Sequence, residues 1–118
     1  MRHRKSRLLL LLVALAAFAQ APHPSVTLTW SWSQGTGDPA TGFHVQRSSV
    51  AGGPYTTVAT TPVAVKTYLD TSVLVGSTYY YVVTAYNPAG DGVPSAEVTC
   101  VIPFQIPSQV TGVSAVAK

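Results

Sequence analysis

Polar and apolar positions alternate through most of the chain. Val26, Leu28 and Trp30 interleave with Thr27, Thr29 and Ser31, and Phe43 and Val45 with His44 and Gln46. Tyr79, Tyr81, Val83 and Ala85 interleave with Tyr80, Val82, Thr84 and Tyr86. A period of two marks strands with one buried face. Strands are predicted over 26–32, 43–48, 55–59, 67–71, 79–86 and 95–102, with Tyr68 facing inward on the fourth. Between them lie clusters of breakers: Gly35, Gly37, Asp38, Pro39 and Gly42; Ala51-Gly52-Gly53-Pro54; Pro88, Gly90 and Gly92. Pro62 points to an edge or a crossing segment, because proline cannot donate to a central ladder. Pro103 stops the last strand. No strong helix signal follows residue 20, so the pattern predicts an all-β, antiparallel domain.

The N-terminus follows a different pattern. Arg2, Arg4, Lys5 and Arg7 precede an apolar run of twelve residues, Leu8 to Ala19, which ends in the small-x-small triplet Ala17-Phe18-Ala19. This reads as a signal peptide over 1–19, cleaved after Ala19; the run is shorter than the ~20 residues of a spanning helix. Processing would change the electrostatics. The whole chain carries a formal charge of +3. Beyond residue 19 there remain Arg47, Lys66 and Lys118 against Asp38, Asp70, Asp91 and Glu97, a net charge of −1. No basic footprint for nucleic acid is left, and no span is expected after cleavage. The expected location is secreted, periplasmic or at the cell surface.

The remaining 99 residues suffice for a core without disulfide staples. Cys100 is the sole cysteine, so no internal disulfide forms. It shares the inward parity of Val98 and Ile102 and reads as a buried thiol.

In order and spacing, the stretch 25–103 resembles a fibronectin type III domain, in the form found in bacterial extracellular proteins. Trp30 matches the family's tryptophan in strand B, and Phe43 the aromatic opening strand C. Val73 and Gly76 match the hydrophobe and glycine before the E–F corner, and Tyr79 the corner tyrosine. The phrases SSVAGGPYTTV and TYYYVVTAYNPAGDG carry the same likeness. The resemblance implies a two-sheet antiparallel immunoglobulin-like sandwich. Stacked sheets need interdigitating side chains, and Trp30, Phe43, Val45, Tyr68, Val73, Tyr81, Val83 and Ala85 are assigned to that layer. The resemblance also implies that Tyr79 turns its hydroxyl toward a backbone carbonyl near Val73.

Two departures stand out. The family's first strand is expected to be weak or missing, since only the short segment 20–24, with two prolines, would separate the cleavage site from strand B. The tail, 104–118, looks like the opening strand of another such domain. It belongs to a longer tandem array, or pairs with another copy, or stays disordered. An unpartnered strand B edge would invite strand addition.

The chemistry is sparse. His23 and His44 with Cys100 make no zinc spacing, there is no nucleophile-elbow motif, and the four carboxylates fall in loops or at strand ends. No enzyme activity, metal or cofactor is expected; Asp70 is expected to hydrogen-bond the E–F turn. The loop Pro88-Ala89-Gly90-Asp91 sits where some family members carry Arg-Gly-Asp, but alanine replaces the arginine, so integrin-type recognition does not transfer. Trp32, Tyr55, Tyr80 and Tyr86 form the candidate contact face, with Trp32 either plugging the sandwich end or standing exposed. The expected role is an exported, non-catalytic binding or spacer module for an unidentified protein or glycan. The alternative is a polysaccharide-contacting accessory module of a secreted hydrolase system.

Overall fold

The computed structural model describes residues 11–17 (the backbone, with the Leu12 side chain), 23–104, 106–107 and 109–117. Among the described residues eight strands follow in chain order: β1 (Leu11–Ala17), β2 (Ser25–Ser31), β3 (Gly42–Ser48), β4 (Thr56–Pro62), β5 (Thr67–Asp70), β6 (Thr78–Asn87), β7 (Gly90–Asp91) and β8 (Val98–Val101). They form two antiparallel sheets. One has the order β1-β2-β5; the other runs β4-β3-β6-β7, with β8 also paired to β6. The expected last strand, 95–102, is shorter and forms only as β8, while β7 is a two-residue strand in the stretch expected to be a loop.

The layer between the sheets is built by the alternating positions. Val26, Leu28, Phe43, Val45, Tyr81, Val83 and Ile102 are fully or almost fully enclosed, and Trp30, Val73, Tyr79, Ala85 and Cys100 are buried beside them. Trp30 meets Phe43 edge-on at 5.6 Å between centroids, a favoured aromatic geometry. Tyr68, assigned to the inner layer, is half-buried at its rim. Its strand is an outer one, paired only with β2. Burial pushes the Cys100 thiol above its ordinary pKa, which keeps it protonated and unreactive at neutral pH.

Pro62 ends β4, the outer strand of its sheet, opposite Gly42. The β3–β4 register shifts between Val45 and Gln46 and leaves Val58 unopposed, a bulge of the kind that eases an edge strand out of flat pairing.

The first strand requires a correction: it is present. Residues 11–17 pair along the whole of β2, from Leu11 opposite Ser31 to Ala17 opposite Ser25, and Leu12 is buried opposite Trp30. The edge of β2 is therefore covered by the segment read as a signal core. A continuous apolar run has no period that could reveal a strand, and only its register against β2 does so. The basic residues before Leu8, the cleavage point after Ala19 and residues 20–22 lie outside the described residues.

The corner between β5 and β6 is closed by Tyr79. Its hydroxyl accepts the Leu74 backbone N–H at 3.0 Å, so the partner is a donor and not the expected carbonyl. Gly76 (φ 79°) turns the chain in the left-handed region, and the Phe104 ring lies where a Cβ would stand. Tyr79→Phe should lower the unfolding free energy by only about 0.5–1.5 kcal/mol in a urea titration, since it removes one hydrogen bond and keeps the ring.

A buried polar cluster lies beside the corner. Asp70, the last residue of β5, is fully enclosed. Its carboxylate accepts the Tyr81 hydroxyl (2.6 Å), an Arg47 N–H (2.7 Å), and the Ser72 N–H (3.0 Å) and hydroxyl (2.8 Å). Arg47 also donates to the Ser72 hydroxyl at 2.8 Å and lies 5.0 Å above the Tyr79 ring. Asp70 thus holds the turn as expected, and in addition joins the two sheets through Arg47 on β3 and Tyr81 on β6.

Candidate functional site

The pole where β2 and β6 end and β3 begins carries a cleft of about 280 Å³. Its walls include Trp32 and Gln34 after β2, Asp38 in the β2–β3 loop, and Tyr86, Asn87 and Asp91 on the β6–β7 side. Each wall is shaped by its own hydrogen bonds. The Gln34 amide donates to the carbonyls of Gly37 (2.9 Å) and Asp38 (3.1 Å) and accepts the Ala40 N–H (3.3 Å), which curls the loop around one side chain. Across the cleft, Asn87 Oδ1 accepts the Ala89 N–H at 2.8 Å, a local turn typical of asparagine. The Thr41 N–H donates to the Tyr86 carbonyl at 2.7 Å and joins the two walls at the floor.

Two aromatic rings sit within this frame. Trp32 is half-buried and meets Phe43 edge-on at 5.8 Å, so it plugs the sandwich end while lining the cleft. Tyr86 stacks on His44 at 4.1 Å with 11° between planes. His44 Nε2 in turn lies 3.6 Å from Asp91 Oδ1, and its Nδ1 lies 3.1 Å from the Thr60 hydroxyl. Among the described residues the cleft lining includes the carboxylates of Asp38 and Asp91 and no Lys or Arg.

The four residues of the candidate contact face do not share one face. Trp32 and Tyr86 come together in the cleft. Tyr55 lies at the opposite pole, where Glu97 accepts both its hydroxyl and the Gly52 N–H (2.8 Å). Tyr80 lies between Ser48 and Thr99 on the outer side of the second sheet, half-buried. Val82 and Thr84, between Tyr80 and Tyr86, are buried as well, so β6 presents no continuous aromatic strip. Alternation gives the parity of these side chains but not what covers them. Gln34, Asp38 and Asn87 escaped the sequence reading because loop residues have no period; the breaker cluster around them was the available signal.

Among the described residues no group of three or more His, Cys, Asp or Glu side chains could hold a metal. No helix among them is long and apolar enough to cross a membrane.

These features define a small antiparallel sandwich that gathers loops and two aromatic rings at one pole. No protein-family model and no curated protein matches the sequence, but solved structures do. An Fn3-like protein from Clostridium thermocellum is 33% identical over 82% of this chain and 92% of that one, with a TM-score of 0.59. The chain therefore belongs to the fibronectin type III family. Similar in fold are the sixth fibronectin type III domain of human fibronectin type III domain containing protein 3 (21% identical, 82% of this chain and 88% of that one, TM-score 0.62) and part of a β-1,2-glucanase from Parabacteroides distasonis (22%, 86% and 14%, TM-score 0.59).

Proposed function

We propose that the chain works as an exported, non-catalytic binding or spacer module of fibronectin type III type, making protein or surface contacts outside the cytoplasm. The observation that carries the binding half of this reading is the polar cleft. Clefts that orient a ligand combine apolar rings with a few placed polar groups, and this one offers Trp32 and Tyr86 beside Gln34, Asp38, Asn87 and Asp91. Family membership and the basic-then-apolar N-terminus support the rest.

The composition of the cleft also favours the second reading, a glycan-contacting accessory role. Ring faces with carboxylate and amide groups suit a neutral polyhydroxyl ligand, and the absence of Lys and Arg from the lining argues against an anionic one. The β-1,2-glucanase that contains a similar fold is consistent with such company. Electrophoresis through gels containing neutral polysaccharides tests it: the protein should be retarded by at least one glycan, and Trp32→Ala or Asp91→Asn should abolish the retardation. Migration unchanged by any glycan would leave the spacer role and remove the glycan one.

A further inference from the structure

The edge of β2 is the place where export and assembly would meet. In the chain as it stands that edge belongs to β1. Cleavage after Ala19 would remove all of β1 and open one edge of the seven-residue β2, whose outward-pointing backbone donors and acceptors would lose their partners while the other edge stays on β5. It would also uncover Trp30, which Leu12 now faces. An open edge of that length, rich in β-branched residues, accepts a further strand readily.

The chain carries a segment that fits it. Leu12 is buried opposite Trp30; the register positions opposite Leu28 and Val26 are Ala14 and Ala16. The site therefore asks for one branched residue followed by two small ones at alternate positions. Val113, Ala115 and Ala117 repeat that sequence. The intervening Ser114 and Val116 would then fall opposite Thr29 and Thr27, on the outer side. The tail is available: Val110, Val113 and Val116 are 75%, 78% and 85% exposed, and no strand is formed there.

Direction points to a second copy. The Ile102 N–H donates to the Ser77 carbonyl and its carbonyl accepts the Gly76 N–H, and Phe104 lies against Gly76. The tail thus leaves from the pole where β2 begins. To pair antiparallel with its own β2 it would first have to retrace the length of that strand, roughly 20 Å, and none of the described residues over 103–111 is in a strand. The β2 edge of a neighbouring copy requires no such return.

We infer that, once residues 1–19 are removed, residues 112–117 of one copy add to β2 of another as its first strand, with Val113 opposite Trp30. This rests on the export reading above. The contact joins different surfaces of the two copies, so it builds chains or rings unless two copies exchange tails reciprocally.

The test is to express the full chain through an export route, establish the N-terminus by intact mass, and measure molar mass by size-exclusion with light scattering at tens of micromolar. The expected result is a processed protein of at least twice the single-chain mass. Val113→Asp, which puts a charge against Trp30, should return it to a single chain; Val116→Asp, on the outer side, should not. Both changes lie in an exposed tail and leave the sandwich intact. A processed wild-type protein that runs as a single chain, or equal effects of the two variants, overturns this inference alone. An intact mass that retains residues 1–19 overturns it together with the export reading.

Discussion

Asp70→Asn is expected to lower the unfolding free energy by about 3 kcal/mol, the low end of the range for breaking a buried ion pair. The carboxylate receives four donors, from Tyr81, Arg47 and the N–H and hydroxyl of Ser72, on two oxygens. An amide of the same shape can accept on only one side. Its NH2 group must then confront either Tyr81 and Arg47 or Ser72, leaving buried donors unpaired. The Arg47 side chain retains 23% exposure, so its charge can reach water, and that places the loss at the low end.

The same site gives a signed pH dependence. Burial alone would raise the Asp70 pKa, but the hydrogen bonds from Tyr81, Ser72 and Arg47 outweigh it and hold the group below the ordinary carboxylate value. A depressed folded pKa contributes stability that is fully present above the unfolded pKa, about 3.9 for aspartate, and is lost as pH falls through the folded value. Glu97, lowered by the Tyr55 hydroxyl and then by the Gly52 N–H, acts with the same sign. Urea midpoints of the wild type should be level from neutrality to about pH 5 and fall steeply below about pH 4. Asp70→Asn should flatten that fall, with the Glu97 part remaining. Equal midpoints for wild type and variant at pH 7 would refute the role assigned to this carboxylate.

Trp30→Ala should cost about 3–5 kcal/mol, the usual loss for truncating a buried aromatic. That is a large part of the 5–15 kcal/mol by which domains are stable. Trp30 is 6% exposed, faces Leu12 across the β1–β2 ladder, and sets its edge against Phe43. It therefore touches both sheets at once, and a cavity there cannot be filled by moving one strand. Trp30→Phe, which keeps an aromatic ring, should lose less and provides a measurable step if the alanine variant does not fold. Denaturant titration ranks these against Tyr79→Phe. A greater loss for Tyr79→Phe than for Trp30→Ala would reverse the view that the inter-sheet layer outweighs the corner.

Three parts of the molecule differ in how far they could be read from the residues. The strands around Trp30, Phe43 and Tyr81 announce themselves because a half-buried strand must alternate, and the chain keeps that alternation through β2, β3 and β6. The cleft was half legible: Trp32 and Tyr86 have the residue types of a contact surface, but so do Tyr55 and Tyr80, and parity does not say which rings share a pole. The Asp70 cluster was legible only as a turn. Its partners Arg47 and Tyr81 lie 23 and 11 positions away, and nothing local connects them until two strands from different sheets are stacked.

The amino-acid order by itself determined the class of fold and the alternation of its strands, because these follow from period-two burial and from breakers a few residues apart. The tertiary structure alone decided that an all-apolar N-terminal run serves as the first strand, that a buried carboxylate ties the sheets together, and which two rings meet at the loops. Each of those depends on contacts between distant segments, and backbone pairing and desolvated charge have no signature in neighbouring residues.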